Sequence, residues 1–381
     1  MRRPTIVQFN LSPTLGGAEV YTAFFSRALA ARGWSSRVVV SSASSFWDDL
    51  DFGGVLRVGA DTPAAKLAPG DIAVVHAPLP GAPLASLAPN FVVGVAHQAV
   101  YDGTRPAYYD RADLLLAVST HVATTLKSYG LTRIHPAPLY GVADLERGPS
   151  AGPPVAGPLF DVDAHKLRDL VVSGVYRLRA ALSGARGFTR RSGLTLGVVS
   201  RLASVKQFPV LFAILAPVLA RHSDVSLEIF GSAVGYKSLV SARRALAVLG
   251  PRVRFWGHQR DVTAAYHAID YLLTGLPERE ALGLNVLESC SAGTPVIAVA
   301  GPPFTETMRE GVTGFLYADP RTDRGADFER VLVGILEGRL KPDLAAVPAH
   351  LEAFSFARFA ERLDGVFRDI AARALRRGLT E

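Results

Sequence analysis

The stretch Thr5-Ile6-Val7-Gln8-Phe9-Asn10-Leu11-Ser12-Pro13-Thr14-Leu15-Gly16-Gly17-Ala18-Glu19 sets the fold class. Its first five residues form an apolar run that reads as a buried strand. Tyr21, Phe24, Phe25, Ala28 and Leu29 then recur at helical spacing, and Gly33 follows as a helix stop. A strand feeding a glycine loop that opens a helix is the first step of a βαβ unit. The step repeats further along: Arg37–Val40, Ile72–Val75, Phe91–Val95 and Leu114–Val118 read as strands, with helix-like stretches or loops between them. This alternation belongs to a mostly parallel α/β sheet covered on both faces.

From about Arg147 to Arg191 the pattern changes. Gly148 to Pro158 is rich in Pro, Gly and Ala and reads as a loop. Leu167, Leu170, Val171, Leu178 and Leu182 predict an amphipathic helix or two, weakened in the middle by Gly174. Strand–helix alternation then restarts with Leu194–Val199, Ser226–Phe230, Val253–Trp256, Ala268–Thr274 and Pro295–Val299. The last segment, Phe354 to Arg377, is helix-like and basic at its end, as suits a helix C-terminus. The expectation is two α/β domains joined near Arg191.

Composition narrows the class. The chain has 381 residues, a net charge of +7, one cysteine, 49% hydrophobic and 20% charged residues. The apolar fraction supports substantial cores. A lone Cys290 excludes an intramolecular disulfide framework and a cysteine-cluster zinc site. The longest tempting apolar stretch, Val210–Ala220, contains Pro217 and falls short of the roughly 20 residues a spanning helix needs. Thr5–Phe9, after the basic Met1-Arg2-Arg3-Pro4, is too short for a signal-peptide core, so a cytoplasmic protein is expected. The densest positive excess lies in 151–191, with 7 Lys+Arg against 3 Asp+Glu. It reads either as a solvated face or as a contact for anionic lipid head groups or an anionic substrate. No zinc finger, basic zipper or aromatic RNA-binding signature occurs, so no nucleic-acid partner is expected.

Three loops carry candidate chemistry. Gly16 and Gly17 let backbone approach a ligand, and a helix N-terminus behind them offers amides to an anion. A plain tight turn is the competing reading. The dinucleotide fingerprint GxGxxG is absent, which argues against a nicotinamide oxidoreductase. Arg201 and Lys206 leave the first strand of the second domain at its carboxyl end, where open α/β sheets bind ligands. A guanidinium offers a fork for phosphate oxygens and a lysine a mobile point charge; two ordinary surface cations would look the same. The third block, Pro277 to Pro295, is the most informative. Glu280 and Glu288 lie eight residues apart, with Gly283 between them at a loop-to-helix junction. A helix starting near Leu284 puts Glu288 about one turn in, able to accept hydrogen bonds from a ribose diol. Gly293 ends that helix. Asp161-Val162-Asp163 has the spelling of a metal-binding pair but lies in the variable linker, and no metal site is expected.

In this order the residues resemble the family-four retaining glycosyltransferases, which have the metal-independent, B-type two-Rossmann fold. The marker is E-x7-E followed by Gly-Thr-Pro-Val, present as Glu280, Glu288 and Gly293-Thr294-Pro295-Val296. Gly16-Gly17-Ala18-Glu19, Arg201 with Lys206, Phe255-Trp256-Gly257-His258, the strand Ala112–Ser119 and Phe354-Ser355-Phe356 are similar too. The resemblance implies two Rossmann-like domains with mostly parallel sheets facing across a cleft. Residues 1–190 would be the acceptor-binding domain with its linker, 191–355 the donor-binding domain, and 356–381 a helix crossing back to the first.

The resemblance also implies roles. Arg201 and Lys206 would hold the donor diphosphate, and Gly16 and Gly17 would bring amides near it. Glu288 would bind the donor ribose and Glu280 the transferred sugar. Gly283, Leu284 and Asn285 would line phosphate and sugar with backbone. Gly231 and the His258 stretch would line the base pocket. His97, at a strand end, would lie near the reacting sugar, with His76 a weaker candidate. Tyr101, Arg105, Tyr108 and Tyr109 either line an acceptor groove or pack the domain. The implied activity is transfer of a sugar from a UDP- or GDP-linked donor to an acceptor hydroxyl, without a cofactor. The acceptor would be a carbohydrate or a lipid-linked molecule, and the basic middle stretch fits peripheral contact with the inner membrane face. Departures are Glu280-Ala281-Leu282-Gly283 where the family often has E-G-F-G, and Pro277-Glu278 in place of Pro-Ser. A sugar-nucleotide epimerase or hydrolase of similar fold and a non-catalytic sugar-nucleotide-binding subunit remain the alternatives.

Overall fold

The computed structural model describes residues 4–12, 16–42, 44–49, 55–58, 67–77, 87, 89–143, 152–160, 162, 166–183 and 187–378. The chain divides into two compact units, Met1–Ala143 with Glu352–Glu381, and Asp144–Leu351.

The first unit holds six parallel strands: β1 (Ile6–Asn10), β2 (Ser36–Ser41), β3 (Val55–Val58), β4 (Ile72–Val75), β5 (Phe91–Ala96) and β6 (Leu114–Ala117). Their order is β3-β2-β1-β4-β5-β6. β1 is buried along its whole length, including the polar Gln8 and Asn10. Helix α1 (Gly17–Ala31) follows it, and α2 (Thr120–Ser128) follows β6. The Ser119 hydroxyl starts α2 by accepting the Val122 amide at 3.0 Å, an ordinary N-cap.

In the second unit lie β7 (Leu194–Val199), β8 (Val225–Phe230), β9 (Val253–Gly257), β10 (Tyr271–Leu273), β11 (Val296–Val299) and β12 (Gly314–Tyr317). They are parallel in the order β12-β11-β10-β7-β8-β9. The unit's described α-helices of six or more residues are α3 (Leu167–Ser183), α4 (Phe208–Ala220), α5 (Gly235–Ala245), α6 (Val262–His267), α7 (Leu284–Ser291) and α8 (Ala326–Leu336). One core, with Phe208, Phe212, Leu215 and Phe328, covers one face of the sheet. A second, with Trp256, Tyr266, Val286 and Phe304, covers the other. Covering both faces is what allows strands as apolar as Val296–Val299.

Two particulars differ from the sequence reading. The units divide after Ala143, not at 190. The reason is pairing: Phe160 bridges Ala233, and the Gly157 amide donates to the Trp256 carbonyl at 2.7 Å, so this stretch adds to the second unit. β3 and β12 were not anticipated. Both are four-residue edge strands; Arg57 interrupts the apolar run of β3, and β12 offers only Phe315-Leu316-Tyr317 after Gly314. Asp161 and Asp163 lie outside the described residues.

The last helix, α9 (Phe356–Arg376), belongs to the first unit. Phe359, Leu363, Val366, Phe367 and Ile370 are buried on one side of it at helical spacing. They meet α1: the Phe25 and Phe367 rings stand edge to face at 5.7 Å. The Trp34 indole donates to Asp364 Oδ1 at 2.9 Å. Phe367→Ala is therefore expected to destabilise the first unit by about 3–5 kcal/mol. Denaturant titration should register this as an earlier midpoint for that unit.

Candidate functional site

Read by position, both sheets have the strand order 3-2-1-4-5-6, with the direction of strand addition reversing between the first and fourth strands. Those pairs are β1 with β4 and β7 with β10. Loops leaving the carboxyl ends of such a pair diverge to opposite faces and leave a crevice where ligands bind. The candidate residues fall at these two places, and each unit is taken by itself.

In the second unit, Ser200 and Leu202 continue from β7 by hydrogen bonds to Phe230 and Ser232 carbonyls, both at 2.9 Å. Gly231, φ 125°, is required here: a Cβ would stand 2.1 Å from the Ser200 carbonyl oxygen. This pairing holds Arg201 outward, exposed, with no side-chain hydrogen bond or ion pair among the described residues. A short 3-10 turn, Ser204–Lys206, follows, and Gln207 enters α4 in the left-handed conformation. Lys206 Nζ pairs with the Glu280 carboxylate, which belongs to the loop leaving β10. Two loops separated by 74 positions in sequence thus meet across the β7/β10 crevice.

The β10 loop is braced by the residue that departs from the family spelling. Glu278 accepts from Gln207 Nε2 at 2.7 Å and from Arg321 Nη1 at 2.6 Å. Burial alone would raise this carboxyl, but the Arg321 and Gln207 bonds outweigh it and hold it below its usual range. Gly283 then caps α7 with φ 76°, and a Cβ there would meet Phe304 at 3.0 Å. No side chain caps that helix end. Asn285 reaches back, its amide 3.5 Å from the Val199 carbonyl. Glu288, one turn on and half-buried, accepts the Tyr266 hydroxyl at 2.7 Å. Burial raises its carboxyl, and the Tyr266 bond opposes that rise.

At the β1/β4 crevice of the first unit, Gly16 and Gly17 begin α1 without a side-chain cap. His97 follows β5. Its Nε2 stands 3.1 Å from His76 Nδ1, and His76 Nε2 stands 3.0 Å from Gln8 Oε1. With Gln8 Oε1 accepting, His76 donates from Nε2, and its bare Nδ1 then accepts from His97 Nε2. Burial drives both rings to the neutral form, His97 to about 3 and His76, which also faces His97, well below its ordinary value. Tyr21 closes this line edge-on to His97 at 4.9 Å. Of the acceptor-groove candidates, Tyr108 and Tyr109 are core residues, each 2% exposed. Arg105 pairs with Asp110 at 2.8 Å, and Tyr101 stays exposed.

The structure thus brings Lys206 to Glu280 and Asn285 to the end of β7, and it sets His97 and the two glycines in the first unit. Sequence reasoning missed Gln207, Arg321, Tyr266 and Gln8. Glu278 and His76 had been noticed, but not what they touch.

Residues 193–336 match the family described as Glycosyl transferases group 1. The matched stretch contains Arg201, Lys206 and the whole acidic block, in accord with the resemblance read from the sequence. A D-inositol 3-phosphate glycosyltransferase of Actinosynnema mirum is 32% identical over 224 residues, 54% of this chain and 52% of that protein. The namesake from Corynebacterium diphtheriae is 29% identical over 187 residues, 46% and 42% of the two chains. The chain thus spans about half the length of the curated relatives it matches. Among solved structures, Anabaena HepE in complex with UDP and glucose aligns with TM-score 0.66 at 18% identity, over 96% of this chain and 100% of that one. The pneumococcal O-GlcNAc transferase GtfA in complex with UDP and GlcNAc aligns with TM-score 0.68 at 12% identity, over 97% and 99%. These two alignments establish a shared fold.

Two outcomes follow from the buried groups. Tyr266→Phe removes the one side-chain donor to Glu288 among the described residues, so its carboxyl should titrate higher still, observable by carbon NMR of the glutamate carboxyls. A bond to a charged group also carries about 1.5–3 kcal/mol of stability. The histidines make the first unit acid-sensitive. Both are neutral when folded and free to protonate when unfolded, so nothing is lost above the ordinary 6.5. Below it, the unfolded state gains protons first, and stability falls from pH 6.5 towards about 3. Unfolding midpoints measured across that range should flatten when both histidines become glutamine.

Proposed function

We propose that this chain is a retaining glycosyltransferase that moves a sugar from a nucleotide-diphosphate donor, UDP- or GDP-linked, to an acceptor hydroxyl. The observation that carries the reading is the β7/β10 crevice. An unpaired guanidinium, a lysine held by an acid and a helix start without a side-chain cap converge there, within the matched stretch. Support also comes from the named activity of the curated relatives and from UDP and sugar in the solved structures of the same fold.

As the glycosidic bond breaks, negative charge develops on the leaving diphosphate. Arg201, Lys206 and the amides at Gly283–Asn285 stabilise that charge more than they stabilise the bound donor, and only this difference speeds the reaction. Lys206 exchanges its Glu280 partner for phosphate oxygen, which frees Glu280 to accept the transferred sugar's hydroxyls. Glu288 keeps one oxygen on Tyr266 and offers the other to the ribose diol. In the first unit His97 offers a neutral ring, and Gly16 and Gly17 offer backbone amides, at the β1/β4 crevice. A double displacement needs two carboxylates about 5–5.5 Å apart around the scissile bond. With Glu288 on the ribose no such pair is formed, so the departing phosphate takes the acceptor proton in a front-face substitution. The charges that meet the diphosphate are organic cations, so turnover proceeds without a metal. The acceptor is a carbohydrate or lipid-linked hydroxyl, and a lipid-linked one brings this cytoplasmic protein to the inner membrane face.

Turnover of a panel of UDP- and GDP-sugars, with chelator present, tests the reading. Arg201→Ala should lower kcat/KM by about 10²–10³ while leaving the thermal transition in place, because that side chain makes no hydrogen bond or ion pair among the described residues. A sugar trapped covalently on Glu280 or Glu288 would overturn the mechanism.

A further inference from the structure

We infer that α3 is an interfacial helix, laying its Leu167, Leu170, Val171 and Val175 side chains onto an anionic lipid surface. Helices on globular proteins turn their apolar face inward. This one turns only part of it inward: Val172 and Tyr176 pack on the core, and Asp169 is 1% exposed. Leu167, Leu170, Val171 and Val175 are 76, 46, 59 and 50% exposed. Their spacing places them along one stripe of the helix.

The charges select the occupant. Between Lys166 and Arg191 there are seven basic residues and one acid, and of the seven Arg190 is ion-paired with Asp270. That acid, Asp169, is buried and paired with Arg168 at 2.9 Å, so the helix shows solvent no carboxylate. Arg168 also lies over the Tyr236 ring at 5.5 Å, which fixes the helix by its inner side. An exposed apolar stripe in a segment of net positive charge is what binds a bilayer whose surface is negative. A second copy of this chain would bring one basic helix against another, and like charges disfavour that contact. Among the described residues no helix is long and apolar enough to span a membrane, so α3 would lie in the interface plane.

This inference rests on the membrane-side part of the reading above and not on sugar transfer. The test is sedimentation of the full chain with phosphatidylcholine vesicles, with and without phosphatidylserine. The protein should sediment with the anionic vesicles only, and added salt should weaken the binding. The Leu170→Ser, Val171→Ser double variant should bind at least about tenfold more weakly, with its thermal transition and its donor turnover on soluble acceptors unchanged. Wild-type protein left in the supernatant, or a double variant that binds as well as wild type, overturns the inference. So does a wild-type dimer that the double variant converts to monomer, since a second copy would then be the occupant. Loss of donor turnover with vesicle binding intact counts against the transfer reading alone.

Discussion

Parallel pairing of β7 with β10, Tyr271 beside Leu196 and Leu272 beside Gly197, is the constraint on which the candidate site depends. It places side by side two strands whose following helices leave to opposite faces of the sheet. No helix can fill the gap at their carboxyl ends, so polar loops can occupy it. Gly197 makes the close packing possible, since a Cβ there would stand 2.5 Å from Ile269. Charge then collects in the gap because it is the one edge of a doubly covered sheet that is not committed to the core. Lys206 and Glu280 neutralise each other across it. A partly buried ion pair of this kind gains little net stability, because desolvation offsets the attraction. The pair is better understood as two groups held ready than as a clamp.

Much of this was legible in the residues. Gly283 and Gly293 bracket an eight-residue helix, and Leu284–Ser291 is that helix. Fixed helical rise then makes the position of Glu288 readable from spacing alone. The apolar β-branched runs gave the central strands because strands buried on both faces carry no alternation to confuse with a helix. Edge strands β3 and β12 were not legible, since a short strand with one covered side has no such run. Glu278 appeared only as a departure from a spelling. Its bonds to Gln207 and Arg321 join positions far apart in the chain, and no local pattern encodes them. Tyr266 was invisible for the same reason: a tyrosine in a short helix reads as core, which it also is. On α3 the spacing revealed amphipathicity but could not say which part of the apolar arc stays wet.

Within each unit the environment assigns different tasks to groups of the same type. Glu278, Glu280 and Glu288 are three acids in eleven residues. Glu278 is held low by an arginine and an amide, so its charge is spent inside the fold. Glu288 is pushed up by burial and has the Tyr266 hydroxyl as its one side-chain donor among the described residues, so further donors would relieve it. Glu280 has a flexible lysine as partner, which an anion can draw away. A brace, a hydroxyl acceptor and an exchangeable partner follow from these surroundings and not from the residue type.

The two units also divide the electrostatics. Gln8, His76 and His97 form a polar line across three adjacent strands, and burial keeps both rings neutral. Such a line orients hydrogen bonds without adding charge. Arg201 and Lys206 bring the cations, and they stand on the second sheet. An anion at the second crevice would therefore meet formal charge, which the neutral polar line of the first unit does not carry. A charged imidazolium would carry no lone pair, whereas the neutral His97 ring keeps one nitrogen able to accept a hydrogen bond. That neutral form is held at some expense in acid stability.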